Sequence, residues 1–265
     1  MKEKTGFLKI FITSIYDVNV FSQYAKEGLL KAIIYILIIC AGIGIVKGGT
    51  LGYRVNRGFS AITNYLQSNE KKVLIKDGML TLDSNITNAD NHIYLDKDKT
   101  INEDIDFKDI FYDNKIDLLL LKDGIAFNNY GSIYIVSYID IFRDSYVTSD
   151  TIISRGDSFS VVIIVGFILL NIAETLKSLS FNYLIVVTAA LLVSMFMKMV
   201  VKYKALWSLV IYSSTLPLII ITFLNIVKPN INFDFTFIGG AFSYVVITLK
   251  HIKNEIIQKL SKGRF

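Results

Sequence analysis

Apolar positions crowd the chain in two places. A run at residues 29–46 (LLKAIIYILIICAGIGIV) stands near the N-terminus, and from 159 to 249 apolar blocks follow one another with only short polar breaks. A helix needs roughly 20 consecutive apolar residues to cross the hydrocarbon of a bilayer, so the blocks at 29–46, 183–201, 205–227 and 235–249 predict transmembrane helices. The block at 159–173 (FSVVIIVGFILLNIA) soon meets Glu174 and Lys177 and is short for a full crossing. It predicts a re-entrant segment, a tilted one, or the first part of a single long helix.

Between residues 48 and 158 the texture changes to short alternating segments parted by Asp, Asn and Gly. Residues 73–82 and 118–127 each set Asp-Gly between two apolar runs, a strong hairpin signal. The repeated Lys-Asp-Gly, at Lys76 to Gly78 and Lys122 to Gly124, points to two similar β units. Strands are expected at 92–95 and 132–139, where β-branched and aromatic residues gather, and short helices at 58–68 and 106–112. The expected fold is therefore a membrane protein: an α-helical transmembrane bundle of four or five spans with an inserted extracytoplasmic domain, α+β or mainly β. Its parts are a cytoplasmic amphipathic leader at 1–28, a first transmembrane helix at 29–47, the soluble domain at 48–158, the bundle at 159–250 and a basic tail at 251–265.

Composition agrees. Of 265 residues 52% are hydrophobic and only two are proline, and the mean hydropathy is +0.48, more apolar than an ordinary globular domain. The net charge of +5 matters less than its distribution. Residues 47–157 carry 13 basic and 17 acidic side chains, which assigns the acidic middle and the basic flanks to different sides of a membrane. Lysine and arginine beside spans stay in the cytoplasm. Four crossings keep the leader, the Lys198, Lys202 and Lys204 group and the basic tail together inside, whereas five would export the last two. The expected topology has both termini cytoplasmic, in a bacterial cytoplasmic membrane.

In the leader, Phe7, Phe11 and Ile15 fall on one helical face near Lys2, Lys4 and Lys9. That face suits a helix lying on the inner leaflet or one packed on the bundle, and the pattern leaves both open. The length of the leader and the lack of a small-residue cleavage site before Lys47 favour an uncleaved signal anchor. Cys40 is the only cysteine, so no intrachain disulfide can form.

Candidate chemistry is sparse. Tyr212, Ser213, Ser214 and Thr215 precede Pro217 inside a span, and with Asn171, Glu174 and Asn225 they form a possible polar seam between helices. A carboxylate at membrane depth needs a partner, and Lys177 stands three residues after Glu174. The plainer alternative is that Glu174 ends its segment at the interface and that the hydroxyls serve a proline kink. Lys198, Lys202, Lys204 and Trp207 are a possible contact for anionic lipid or an acidic partner helix; topological anchoring is the commoner use of such residues. The acidic run from Asp96 has Ile101 where a calcium loop needs glycine and Phe107 where it needs glutamate. His92 and His251 are far apart in sequence and on opposite expected sides of the membrane, so neither a metal pair nor a Ser-His-Asp relay is expected, and phosphate-binding loops are absent. No metal, cofactor, nucleic acid or catalytic role is expected.

The leader and first span (IYDVNVFSQYAKEGLLKAIIYILI), the two Lys-Asp-Gly segments and residues 202–217 (KYKALWSLVIYSSTLP) resemble the bacterial membrane family known as domain of unknown function 1189. The resemblance covers most of the chain and implies architecture rather than activity. Some members carry the label maltodextrin-utilisation protein, and the membrane part is distantly similar to Yip1-type bundles. The expected function is a non-catalytic scaffold or regulator of other envelope proteins, in contact with lipid and another membrane protein. The alternative is a transport accessory or small transporter.

Overall fold

The computed structural model describes residues 6–68, 74–81, 87–88, 93–102, 106–113, 116–142, 146–154, 156–228, 231 and 233–261. Lys2, Lys4, His92, Lys262 and Arg264 lie outside them. Ten α-helices and eight strands are described, in the order α1 (Phe7–Tyr16), α2 (Phe21–Lys26), α3 (Leu29–Ser68), β1 (Leu74–Lys76), β2 (Met79–Thr81), β3 (Thr87–Asn88), β4 (Ile93–Asp96), α4 (Phe107–Asp113), β5 (Leu118–Leu121), β6 (Gly124–Asn129), β7 (Ser132–Ser137), α5 (Tyr138–Ile141), β8 (Tyr146–Thr148), α6 (Ser149–Ser154), α7 (Gly156–Phe196), α8 (Tyr203–Ser213), α9 (Thr215–Val227) and α10 (Asp234–Ser261), with a short 3-10 helix at Val18–Val20 between α1 and α2. The chain forms two compact units, one of residues 1–43 and 172–265, the other of residues 44–171.

Helices α3, α7 and α10 are each long and apolar enough to cross a membrane, and α8 with α9, bent by 45°, makes a fourth when the pair counts as one span. The blocks at 159–173 and 183–201 belong largely to the single helix α7. Glu174 and Lys177 are good helix formers, so the polar patch that they make with Thr175 does not interrupt it. A five-span count therefore has no separate helix to support it among the described residues.

In the first unit the apolar core joins Phe21, Tyr24, Tyr35, Cys40, Tyr183, Val186 and Leu209 to Phe237, Ala241 and Val245. The leader is part of this packing. Helix α2 lies against α8, and α1 against α8 and α9, with Ile10 and Ser14 buried and Leu8, Ile12 and Tyr16 exposed at four-residue intervals. Gly28, with φ of +102°, turns the chain from α2 into α3, a backbone region that only glycine enters without strain.

The second unit holds two sheets. One has the order β2-β1-β8 and the other β3-β4-β5-β6-β7, every pairing antiparallel except β4 with β5. Strand β5 reads LLLL, with Leu118, Leu119 and Leu121 buried, as an unbroken apolar run does when covered on both faces. Leu118 packs with Leu51 and Val55 of α3 and Phe167 of α7. The helices meet closely there, since a Cβ at Gly48 would run into the backbone of Phe167 and one at Gly52 would come within 2.9 Å of Ile164 Cα. The stretch expected as a domain at 48–158 thus falls inside a unit that also takes in neighbouring residues of both long helices.

The two Lys-Asp-Gly segments are not equivalent. In the first, Asp77 and Gly78 are the central turn residues, at φ of +51° and +75° between paired Lys76 and Met79, the two-residue turn whose twist matches its strands. In the second, Leu120 pairs with Ile125 and Gly124 has already begun β6. Gly124 is small for another reason: a Cβ there would lie 2.6 Å from the Val136 carbonyl oxygen. A further tight turn, Tyr130 and Gly131 at φ of +48° and +95°, joins β6 to β7.

Candidate functional site

Pro217 has no N–H to give to the carbonyl four residues earlier, and its ring crowds that turn, so the apolar helix breaks at Ser214 between α8 and α9. Three consecutive side chains bond back to the local backbone. Ser213 Oγ donates to the Val210 carbonyl at 3.1 Å, Ser214 Oγ to that of Ile211 at 2.8 Å, and Thr215 Oγ1 to that of Tyr212 at 2.8 Å. All three side chains are buried, where an unpaired hydroxyl is costly.

Each hydroxyl has one proton, so those bonds fix the direction of the next ones. Tyr183 donates to Ser214 Oγ at 2.8 Å, and Tyr35 donates to Thr215 Oγ1 at 2.9 Å. The same arrangement recurs in the leader, where Thr13 Oγ1 donates to the Lys9 carbonyl at 2.7 Å and accepts from Tyr24 at 2.8 Å. The Tyr212 ring fills the space between, its centroid 5.4 Å from that of Tyr24 and 5.0 Å from that of Tyr35. The result is a neutral hydroxyl network linking the break between α8 and α9 to α3 and α7, with the leader joined to it through the Tyr24 and Tyr212 rings.

Of the expected seam, Tyr212, Ser213, Ser214 and Thr215 come together here. Asn171 belongs to the other unit, where its Nδ2 donates to Asn129 Oδ1 at 3.0 Å and to the Phe167 carbonyl at 2.9 Å. Glu174 and Asn225 are half-buried, and among the described residues neither bonds to the hydroxyl network, nor does Glu174 pair with Lys177. Sequence reasoning missed Tyr35 and Tyr183 because each reads as one more aromatic in an apolar run, and Tyr24 because nothing in its polar segment marks it as a buried donor. The available signal was the hydroxyl cluster itself, since buried acceptors require donors.

Lys198, Lys202 and Lys204 are exposed and Trp207 is half-buried, its ring edge-on to Tyr203 with centroids 6.3 Å apart. Lys198 sits at φ of +53°, held there as Met199 N–H reaches the Ser194 carbonyl at 2.9 Å, the bond that closes a helix C-terminus.

In the second unit, Tyr130 donates its hydroxyl to the Lys47 carbonyl at 3.0 Å while the Lys47 ammonium stands 4.7 Å from its ring centroid. Burial raises the Tyr130 phenol above its usual range. Arg54 Nη1 pairs with Asp117 Oδ1 at 3.4 Å. Asp96 accepts from the Asp98 backbone and faces Lys99, and His251 pairs with Glu255 at 3.2 Å. Among the described residues no three His, Cys, Asp or Glu side chains are grouped to hold a metal ion.

A family model described as "Protein of unknown function (DUF1189)" matches residues 8–250. No curated protein and no solved structure matches the chain.

Proposed function

The chain belongs to the DUF1189 family, and from that premise we propose that it is a multi-pass protein of the bacterial cytoplasmic membrane acting as a non-catalytic scaffold or regulator of another envelope protein. The observation that carries the reading is the hydroxyl network. Its polar groups are bonded among themselves and to the helix backbone around a fully buried Tyr212, as suits a structural joint better than a solute path.

The proposed topology has four crossings, the bent pair α8 and α9 counting as one. Helices of 40 and 41 residues are about 60 Å long, roughly twice the hydrocarbon thickness, so α3 and α7 extend beyond the bilayer. With α7 as one crossing, the leader, the lysines at 198–204 and the end of α10 share the cytoplasmic side, which the retention of basic residues favours. The acidic stretch at 48–158 then belongs outside, where it offers the surface for a protein partner.

The broken span favours a second reading, a transport accessory, because discontinuous helices build substrate sites in many transporters. Purifying the tagged full chain from native membranes in mild detergent separates the two. The scaffold reading expects one membrane protein to co-purify in fixed stoichiometry. A solitary chain that moves a solute across proteoliposomes overturns it.

A further inference from the structure

We propose that the turn between α7 and α8 is a binding site for the headgroups of anionic phospholipid, in the leaflet where α7 ends. The inference rests on the membrane reading above but not on the scaffold role.

The turn has two faces. Met197 and Val201 pack onto the core of their unit, while Phe196, Lys198, Val200, Lys202 and Lys204 point outward. Phe196 is 86% exposed and Val200 wholly so. Lys198, Val200 and Lys202 all face outward, which sets a bare valine between two lysines. In water that valine has no use. At a lipid interface it enters the acyl boundary while the lysines on either side meet phosphate, the mixture of apolar and basic groups that holds segments to anionic membranes.

The backbone is fixed before any lipid arrives. Lys198 is locked in the left-handed region by the bond from Met199 to Ser194, and Lys202 begins α8 in extended geometry with φ of −64° and ψ of 133°. The lysines therefore need no backbone ordering to bind, which removes part of the entropic cost of association. Continuity with an apolar helix and the local charge identify the occupant. The site starts where an apolar helix ends, next to Met195 and Phe196 with their exposed side chains, and among residues 195–207 there are three cations and no carboxylate.

Trp207 is the only tryptophan in the chain and stands three residues beyond Lys204, so its fluorescence reports on this corner alone. The test places the full chain in nanodiscs of phosphatidylcholine, titrated with phosphatidylglycerol, with bromine on the acyl chains of one lipid at a time. Each lysine near an anionic surface strengthens attraction about fivefold. Brominated phosphatidylglycerol should thus quench Trp207 at a mole fraction several-fold below that at which brominated phosphatidylcholine does. Lys198→Gln, Lys202→Gln and Lys204→Gln together should abolish the preference, while Lys228→Gln, an exposed lysine at the end of α9, should leave it intact. Equal quenching by both lipids, or a preference that survives the triple substitution, overturns the headgroup site. No quenching by either lipid removes this corner from the membrane altogether. Inorganic phosphate at matched ionic strength should not reverse the effect; reversal would make a soluble anion the ligand and contradict the proposal.

Discussion

Tyr183 donates its hydroxyl to Ser214 Oγ at 2.8 Å, and Ser214 in turn donates to the Ile211 carbonyl at 2.8 Å. A residue of α7 is thereby bonded to the break between α8 and α9. Hydrogen bonds between membrane helices contribute on average about 0.6 kcal/mol, with a maximum near 1.7. Tyr183→Phe should destabilise the protein within that range, and Ser214→Ala by a similar or larger amount because the Ile211 carbonyl also loses a donor. The two effects should be non-additive in a double-mutant cycle of detergent unfolding; strict additivity would mean that the bond contributes nothing.

Gly48 and Gly49 are adjacent in α3 and have opposite surroundings. A Cβ at Gly48 collides with the backbone of α7 at Phe167, while one at Gly49 meets nothing within 4 Å. Forcing packed helices apart costs about 1–3 kcal/mol, so Gly48→Ala should lower the midpoint of thermal unfolding. Gly49→Ala should leave it unchanged or raise it slightly, since alanine is the better helix former. Equal behaviour of the two variants in the same unfolding assay would refute the close crossing.

Tyr138 is buried at 3% exposure, and burial, with Asp123 adding to it, raises its phenol above the ordinary value of 10.0. The folded state therefore holds this proton more tightly than the unfolded chain does. The associated stability is fully present below pH 10 and declines as pH rises from there toward the folded-state value. Tyr138→Phe should flatten the alkaline part of the stability curve relative to the unsubstituted chain, as measured by denaturant unfolding at several pH values. An unchanged alkaline decline would assign it to other groups.

Much of this architecture was legible because a helix that crosses hydrocarbon needs a minimum apolar length. The run at 29–46 falls in a helix long and apolar enough to cross a membrane, that at 205–227 in a pair bent by 45° that is so only when counted as one, and the apolar pattern around Asp77 and Gly78 announced a hairpin that the positive φ values confirm. What was not legible follows from the same physics. The polar patch at Glu174 to Lys177 left a re-entrant segment, a tilted one and one long helix all open, and only the backbone hydrogen bonds that carry α7 through it select the last. The Lys-Asp-Gly at 122–124 has the same letters as the first, but Gly124 serves a close approach to Val136 rather than a turn centre. In the candidate site, the hydroxyls at 213–215 stood out against their apolar surroundings. Their donors Tyr35 and Tyr183 did not, because the donor of a buried hydrogen bond is chosen by tertiary packing 31 and 180 residues away.

The topology is the claim on which the functional reading depends, and one labelling experiment addresses it directly. Cys40 is the only native cysteine and is buried, so Cys40→Ser gives a silent background. Met79, 52% exposed beside the first hairpin turn, and Asn254, exposed on α10, are then replaced singly by cysteine and treated in intact cells with a membrane-impermeant maleimide. The account predicts that Met79→Cys is labelled from outside and that Asn254→Cys is labelled only after the cells are opened. Labelling of Asn254→Cys in intact cells, or protection of Met79→Cys until lysis, would contradict it.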